Sequence, residues 1–266
     1  MRGSCVAAFL LVTLLAACGD HTAGTSPSGG CEAPTVPSGV TAGSIVVNGT
    51  TRTFTLSVPA GDARTARPLV FVFHGAGGDG AGIRGYLKLE APAAGRAIFV
   101  YPDGLADGGS TGWPDTGGRD VAFFDALLAK LRAEACIDER SVFGTGFSYG
   151  GYMSNTLGCK RAGVVRAIAP LSGGGPWGGC NGAPVAAWIA HGTADSTVSL
   201  TQGAASRDHW RGANGCASTS AAVAPSPCVA FDGCSPNPVV WCPFDGGHTV
   251  PAWVGPAVWS FFDGLP

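Results

Sequence analysis

Two kinds of apolar spacing alternate along this chain. Ser44–Val47 and Thr51–Val58 alternate apolar with polar residues around Asn48-Gly49, the pattern of a half-buried hairpin closed by a tight turn. Six later segments are continuous apolar runs instead: Pro68–Phe73, Ala97–Tyr101, Ser141–Thr145, Val165–Leu171, Pro184–Ala190 and Val239–Phe244. Runs of that kind predict strands covered on both faces. Between them the spacing turns helical. An amphipathic helix is predicted from Asp120, as its N-cap, through Ala135. A second follows Ser148, a polar one holds Ser206–Trp210, and the last runs from about Pro251 to Phe262. Strands alternating with helices predict an α/β fold, a mainly parallel twisted sheet with helices on both faces. Neither an internal repeat nor a second domain is visible. The stretch between Leu171 and Pro184 (SGGGPWGGCNGA) is too short for a large lid, which leaves the expected cleft open.

One of these strands leads into chemistry. The run ending at Thr145 continues as Gly146-Phe147-Ser148-Tyr149-Gly150, a G-x-S-x-G motif between strand and helix. In such a corner strand and helix nearly collide, so the positions two before and two after the serine must be tiny. Gly146 and Gly150 meet that demand, and Gly151 adds room. The turn would hold the Ser148 hydroxyl at the carboxyl edge of the sheet.

A serine hydroxyl attacks only when a neighbouring base takes its proton, and a carboxylate orients that base. In this topology the acid follows the serine and the histidine comes last. The run Pro184–Ala190 leads into His191-Gly192-Thr193-Ala194-Asp195, and Val239–Phe244 leads into Asp245-Gly246-Gly247-His248. Ser148, Asp195 and His248 therefore fall in the required order, each just past a strand. Asp245 is the rival acid but is too near His248 along the chain to sit behind it. Asp232 and Asp263 read as surface residues. Among the other histidines, His21 lies in a polar tail, His209 reads as a solvated helix residue, and His191 as a brace for the loop carrying Asp195.

Upstream, Pro68–Phe73 ends in His74-Gly75-Ala76-Gly77-Gly78, a loop able to aim backbone N–H groups at developing negative charge. Ala76 is assigned as the first oxyanion donor, with Gly75 and Gly77 as alternatives, and Tyr149 N–H as the second. His74 is expected to shape this loop rather than to move protons. Trp113, Trp177 and Trp253 lie near the same edge and are candidate substrate contacts through their ring faces.

Composition narrows the class. The 266 residues include 43 glycines, only 13% are charged, and the formal net charge is −2, so no basic face for nucleic acid exists. No phosphate-cradling or dinucleotide motif is present. The first residues, with Arg2 and an apolar run from Val6 to Ala17, read as a signal segment over 1–17. Its end, Leu15-Ala16-Ala17-Cys18-Gly19, resembles a bacterial lipobox, which would make Cys18 the lipidated first residue and the only tie to a membrane. An ordinary secretory signal is the alternative. Residues 18–30 read as a flexible tether and 31–266 as the catalytic domain. Cys31, Cys136, Cys159, Cys180, Cys216, Cys228, Cys234 and Cys242 remain, an even set without C-x-x-C spacing, which favours disulfides over a metal site. Matching the drop of the helix after Ser148 to that of its strand predicts a Cys136–Cys159 bridge.

Several stretches together carry a family likeness. They are Pro227–Cys234, Trp241–Pro251, Gly118–Phe123 and His191–Asp195. With them, residues 31–266 resemble a carbohydrate esterase of the feruloyl esterase type, within the polyhydroxybutyrate-depolymerase-like esterases of the α/β-hydrolase fold. The resemblance implies a serine esterase with Ser148, Asp195 and His248 as its serine, acid and base. The implied substrate is a small ester or an ester-bearing polysaccharide with feruloyl or acetyl groups. No cofactor is called for, and the chain is read as a monomer. Tyr149-Gly150-Gly151-Tyr152 is closer to prolyl-oligopeptidase-type peptidases. A polyhydroxyalkanoate depolymerase, a serine peptidase and a non-catalytic surface binding protein are the alternatives.

Overall fold

The computed structural model describes residues 26–176, 180 and 182–266. In chain order its strands are β1 (Gly39–Val47), β2 (Thr50–Val58), β3 (Arg67–Phe73), β4 (Ile98–Pro102), β5 (Leu105–Asp107), β6 (Ser110–Gly112), β7 (Ile137–Phe147), β8 (Ala167–Leu171), β9 (Ala186–Gly192), β10 (Ser220–Ala222), β11 (Val229–Phe231) and β12 (Val239–Phe244). Its helices are α1 (Gly80–Leu87), α2 (Glu90–Ala93), α3 (Arg119–Glu134), α4 (Tyr149–Lys160), α5 (Leu200–Ala213) and α6 (Val254–Asp263).

The sheet order is β1-β2-β4-β3-β7-β8-β9-β12-β11-β10, with β5 and β6 forming a separate small hairpin. From β4 to β12 every neighbouring pair is parallel, and the hairpins at the two edges are antiparallel. The continuous apolar runs are the central strands, because each residue meets a core on whichever side it points. In β3, Leu69, Phe71 and Phe73 enter one core with α3, α4 and α5, while Val70 and Val72 enter the other with α1 and α6. The edge hairpin β1–β2 turns at Asn48 and Gly49, both at positive φ, as its sequence predicts.

Three expectations are corrected. Asp120 is not the N-cap of α3. Asp115 Oδ1 accepts the N–H groups of Asp120 and Val121, while the Asp120 carboxylate is buried against Arg52 (2.8 Å) and accepts Asp115 N–H. Burial of Arg52 makes that pairing obligatory, since an unpaired guanidinium there would be costly. Next, residues 26–30 are no tether. Ser26 N–H donates to Asp138 Oδ1, Ser28 N–H donates to Ile137 O, and buried Gly30 packs so tightly on Ala135 that a Cβ would lie 2.4 Å from its carbonyl oxygen.

Finally, Cys136 and Cys159 do not pair. The bridges are Cys31–Cys136, Cys159–Cys180, Cys216–Cys234 and Cys228–Cys242. The expected match took the strand to start near Ser141, but β7 starts at Ile137, and its pairing with β3 slips between Arg67 and Leu69. After α4 the chain rejoins the sheet with Arg166 N–H on Val142 O, above that irregularity. Helix α4, about 18 Å long at 1.5 Å per residue, therefore ends short of the level of Cys136. The docked N-terminal segment brings Cys31 there instead.

Candidate active site

The corner after β7 is built as its glycines require. A Cβ on Gly146 would lie 2.6 Å from the carbonyl oxygens of Phe73 and Gly150, and one on Gly150 would lie 2.0 Å from Phe73 O. Ser148 sits at φ 58°, ψ −117°, a conformation a non-glycine residue adopts at a cost of about 1–3 kcal/mol. Hydrogen bonds hold it there. Ser148 N–H donates to Leu171 O (2.9 Å), and its own carbonyl accepts from Gly151 (2.9 Å) and Tyr152 (3.2 Å).

Ser148, Asp195 and His248 meet at this corner. His248 Nε2 lies 2.8 Å from Ser148 Oγ, and His248 Nδ1 lies 2.7 Å from Asp195 Oδ2. Because the carboxylate can only accept, Nδ1 carries the ring proton and Nε2 turns a lone pair toward the serine hydroxyl. The Asp195 side chain is fully buried and the imidazole is 18% exposed, so the ring sits at the bottom of an open edge with its acid behind it. The other Asp195 oxygen, Oδ1, accepts the N–H groups of Thr197 and Val198, both at 2.9 Å. Burial alone would raise the Asp195 pKa. The hydrogen bonds from His248 and from the Val198 and Thr197 amides outweigh it and hold the carboxyl below its ordinary value. The acid and base loops are also stitched together: Thr193 N–H donates to Phe244 O and Ala194 N–H to Gly246 O. Gly192 permits this crossing, since a Cβ there would lie 2.2 Å from Gly247 O.

The remaining histidines sort as follows. His74 is buried, and Gly104 N–H donates to its Nε2 (2.8 Å). Its proton is thereby on Nδ1, which donates to Gly75 O (2.7 Å), and burial lowers its pKa. His74 thus shapes the glycine loop, as expected. His191 is buried under Asp195; its Nε2–H donates to Val198 O at 2.8 Å and stands 3.5 Å from Asp195 Oδ2. This is the predicted brace. His209, expected to be solvated, is half-buried on α5, with Nε2 3.4 Å from Cys180 Sγ. Asp245, Asp232 and Asp263 are exposed.

In the glycine loop, Gly77 N–H is spent on Thr111 O and Gly78 N–H on Gly75 O. Gly77 is therefore set aside as an oxyanion donor. Gly75 passes so close that a Cβ would lie 3.3 Å from Ser148 Cβ, which brings the Gly75-Ala76 backbone against the nucleophile.

The aromatic expectations fare differently. Trp113 is a core residue at 1% exposure. Its Nε1–H donates to His74 O (2.9 Å) and its ring packs edge-on against Phe73, so it cannot meet substrate. Trp253 stands edge-on to Trp188 and Phe244 and lines an apolar cavity of about 570 Å³ containing none of the three residues. Trp177 lies outside the described residues, as do Cys18 and His21. The sequence reading missed Phe147, whose ring tilts against His248 with centroids 4.7 Å apart. Its place beside the serine in G-x-S-x-G was the available signal. It also missed Ser172, whose Oγ donates to Thr249 O (3.3 Å).

No family model matches the chain. Feruloyl esterase C of Emericella nidulans is 38% identical over 96% of this chain and 98% of its own length. Feruloyl esterase D of Neurospora crassa is 36% identical over 90% of this chain and 88% of its own. Among solved structures, an acetyl xylan esterase from Aspergillus awamori superposes with a TM-score of 0.68 at 18% identity, covering 84% of this chain and 99% of that one. A ferulic acid esterase from Anaeromyces mucronatus, solved in complex with ferulic acid, gives 0.57 at 17% identity over 85% and 90%. These structures share the fold with this chain, the α/β-hydrolase arrangement of a largely parallel sheet between helices.

Proposed function

The chain belongs to the feruloyl esterase family and is a carboxylic-ester hydrolase; on that premise we propose that it cleaves feruloyl or acetyl esters through an acyl-enzyme on Ser148. The observation that carries this reading is the unbroken chain of contacts from Ser148 Oγ to His248 Nε2 and from His248 Nδ1 to Asp195 Oδ2. Ser148 Oγ attacks the ester carbonyl carbon as its proton passes to His248 Nε2. Asp195 keeps the ring in the Nδ1–H form and offsets the charge of the imidazolium. The N–H groups of Tyr149 and Ala76 donate to the oxyanion. Collapse of the tetrahedral intermediate expels the alcohol, which takes the proton from Nε2. Water then loses its proton to Nε2 as it attacks the acyl carbon, and collapse frees the acid while Nε2 returns that proton to Ser148 Oγ.

The substrate is an ester pendant from plant-wall polysaccharide. The segment between β8 and β9 is too short for a large lid, which suits a group hanging from a polymer. A single panel tests both chemistry and substrate: methyl ferulate, acetylated xylan, a hydroxybutyrate oligomer and a peptide anilide, each with the parent and Ser148→Ala. The parent is expected to prefer the first two, and Ser148→Ala to lose at least about 10⁴-fold in kcat. Undiminished turnover by Ser148→Ala ends the mechanism, and preference for the oligomer or the anilide ends the substrate assignment.

Four disulfides among the described residues support a site of action in an oxidising compartment. Residues 1–17 would direct export, and Cys18 would carry a lipid. Metabolic labelling with a fatty acid that leaves Cys18 unmodified removes the anchor while leaving export open.

A further inference from the structure

Helix α1 carries none of the three residues, yet one of its side chains touches the chain neighbours of both Ser148 and His248. The Tyr86 ring packs edge-on against Phe147, with centroids 5.4 Å apart, and Phe147 in turn lies against the His248 ring. The Tyr86 hydroxyl accepts Val250 N–H (2.9 Å) and stands 3.3 Å from Thr249 Oγ1. On the other side, Ser172 Oγ donates to Thr249 O. The two residues immediately after His248 are thus held from two directions, while Asp195 holds the imidazole itself.

We infer that Tyr86 is a positioning residue for His248. Its hydroxyl fixes the main chain just past the base, and its ring, through Phe147, fixes the surface against which the imidazole rests. This rests on the reading of His248 as the general base. Tyr86 is 45% exposed, so it contributes little to the core. Removing its hydroxyl leaves Val250 N–H to water rather than buried and unpaired. The consequence should therefore be geometric: His248 Nε2 samples positions away from Ser148 Oγ, and proton transfer slows while substrate binding does not change.

The experiment compares Tyr86→Phe, Tyr86→Leu, Thr249→Val and Tyr86→Phe/Thr249→Val on methyl ferulate and p-nitrophenyl acetate, with Ser148→Ala in parallel. Tyr86→Phe keeps the ring and is expected to lose about 3–10-fold in kcat with KM unchanged, equally on both esters, because the same base serves both. Its melting temperature should stay within about 2 °C of the parent. Tyr86→Leu also loses the ring contact and should be slower by about another tenfold. Thr249→Val should be milder than Tyr86→Phe, and the double variant no slower than Tyr86→Phe alone, because both changes act on one clamp. Parent-like kcat in Tyr86→Phe overturns the inference. So does a change confined to KM or to methyl ferulate, which would make Tyr86 a substrate contact, and so does a rate loss matched by a lower melting temperature. Ser148→Ala separates the two ideas. If it is inactive while Tyr86→Phe is normal, only the role of Tyr86 fails; if it is active, the Ser148 mechanism fails and the role of His248 as its base falls with it.

Discussion

Two loops flank Ser148, and both leave a parallel strand through the same dipeptide: His74-Gly75 just after β3 and His191-Gly192 at the end of β9. In each the histidine is a buried, neutral brace, but the bracing differs. His74 has both ring nitrogens occupied, one by Gly104 N–H and one by Gly75 O, and Trp113 secures its carbonyl. His191 uses only Nε2, on Val198 O; its Nδ1 is buried without a hydrogen-bond partner, facing Gly203 of α5. The first loop is fixed by its ring and by the β5–β6 hairpin, where Thr111 accepts Gly77 N–H and donates to Gly78 O. The second is fixed by one ring hydrogen bond, by the two amides that grip Asp195 and by the Thr193 and Ala194 links to the base loop. Of the two supports for the reaction, the acid loop is the one whose histidine is held by a single ring hydrogen bond.

The largest break comes at that grip. In Asp195→Asn, the position of Oδ1 still receives two N–H donors, so the amide oxygen must stay there. The NH₂ group then takes the place of Oδ2 and faces His248 Nδ1, which can only accept. The ring proton moves to Nε2, and the base is lost. A fall of about 10⁴-fold in kcat with little change in KM is expected from steady-state kinetics. A loss below tenfold would show that Asp195 merely packs.

Next in size is Gly203→Ala. Its Cβ would lie 2.3 Å from His191 Nδ1, and neither the helix nor the buried ring has room to yield. The displaced ring would break its bond to Val198 O and loosen the turn that holds Asp195. About 1–3 kcal/mol of stability is expected to go, together with roughly tenfold in kcat. The counterpart on the other loop is Gly78→Ala, whose Cβ would lie 3.2 Å from Gly75 O and 3.3 Å from His74 Cβ. It should cost less on both measures. Thermal denaturation beside kcat for the pair tests the asymmetry, and equal losses would refute it.

The same contrast explains what could be read from the residues alone. The sheet, the serine corner and the order Ser148, Asp195, His248 were legible because each is a local consequence: continuous apolar runs, glycines at a collision point, loops at strand ends. His74 and His191 were legible as braces because both stand where a buried strand gives way to a loop. What escaped depends on where separate segments meet. Trp113 has the composition of a rim residue, but a carbonyl from another loop gives its Nε1 a buried partner. Cys136 pairs according to how far β7 descends, which the irregular register beside Arg67 decides. Asp120 looks like a cap until Arg52, on a distant strand, claims it. Tyr86 sits in an unremarkable helix and matters only because that helix passes beside Phe147.

The smallest effect is on pH dependence, and it separates the two histidines most directly. Burial lowers the pKa of both, and hydrogen bonding to Gly75 O and Val198 O offsets that only in part. An unfolded histidine takes up its proton near pH 6.5, while in the fold these two take theirs up only at lower pH. Below that pH the unfolded chain binds more protons than the native one, so stability falls as pH drops, by up to about 1.4 kcal/mol per pH unit for each histidine. His191→Gln can keep the one bond that matters, since a glutamine Nε2 can donate to Val198 O as the ring does. It is expected to stay folded, with a shallower slope of stability against pH between about 6.5 and 5, by at most about one proton. His74→Gln cannot satisfy Gly104 N–H and Gly75 O in the geometry of a ring and should be the less stable of the two at pH 7. Urea midpoints measured across that pH range decide the matter. An unchanged slope in His191→Gln would mean that His191 takes up its proton in the native state as readily as in the unfolded one, and that its buried Nδ1 finds an acceptor when it does.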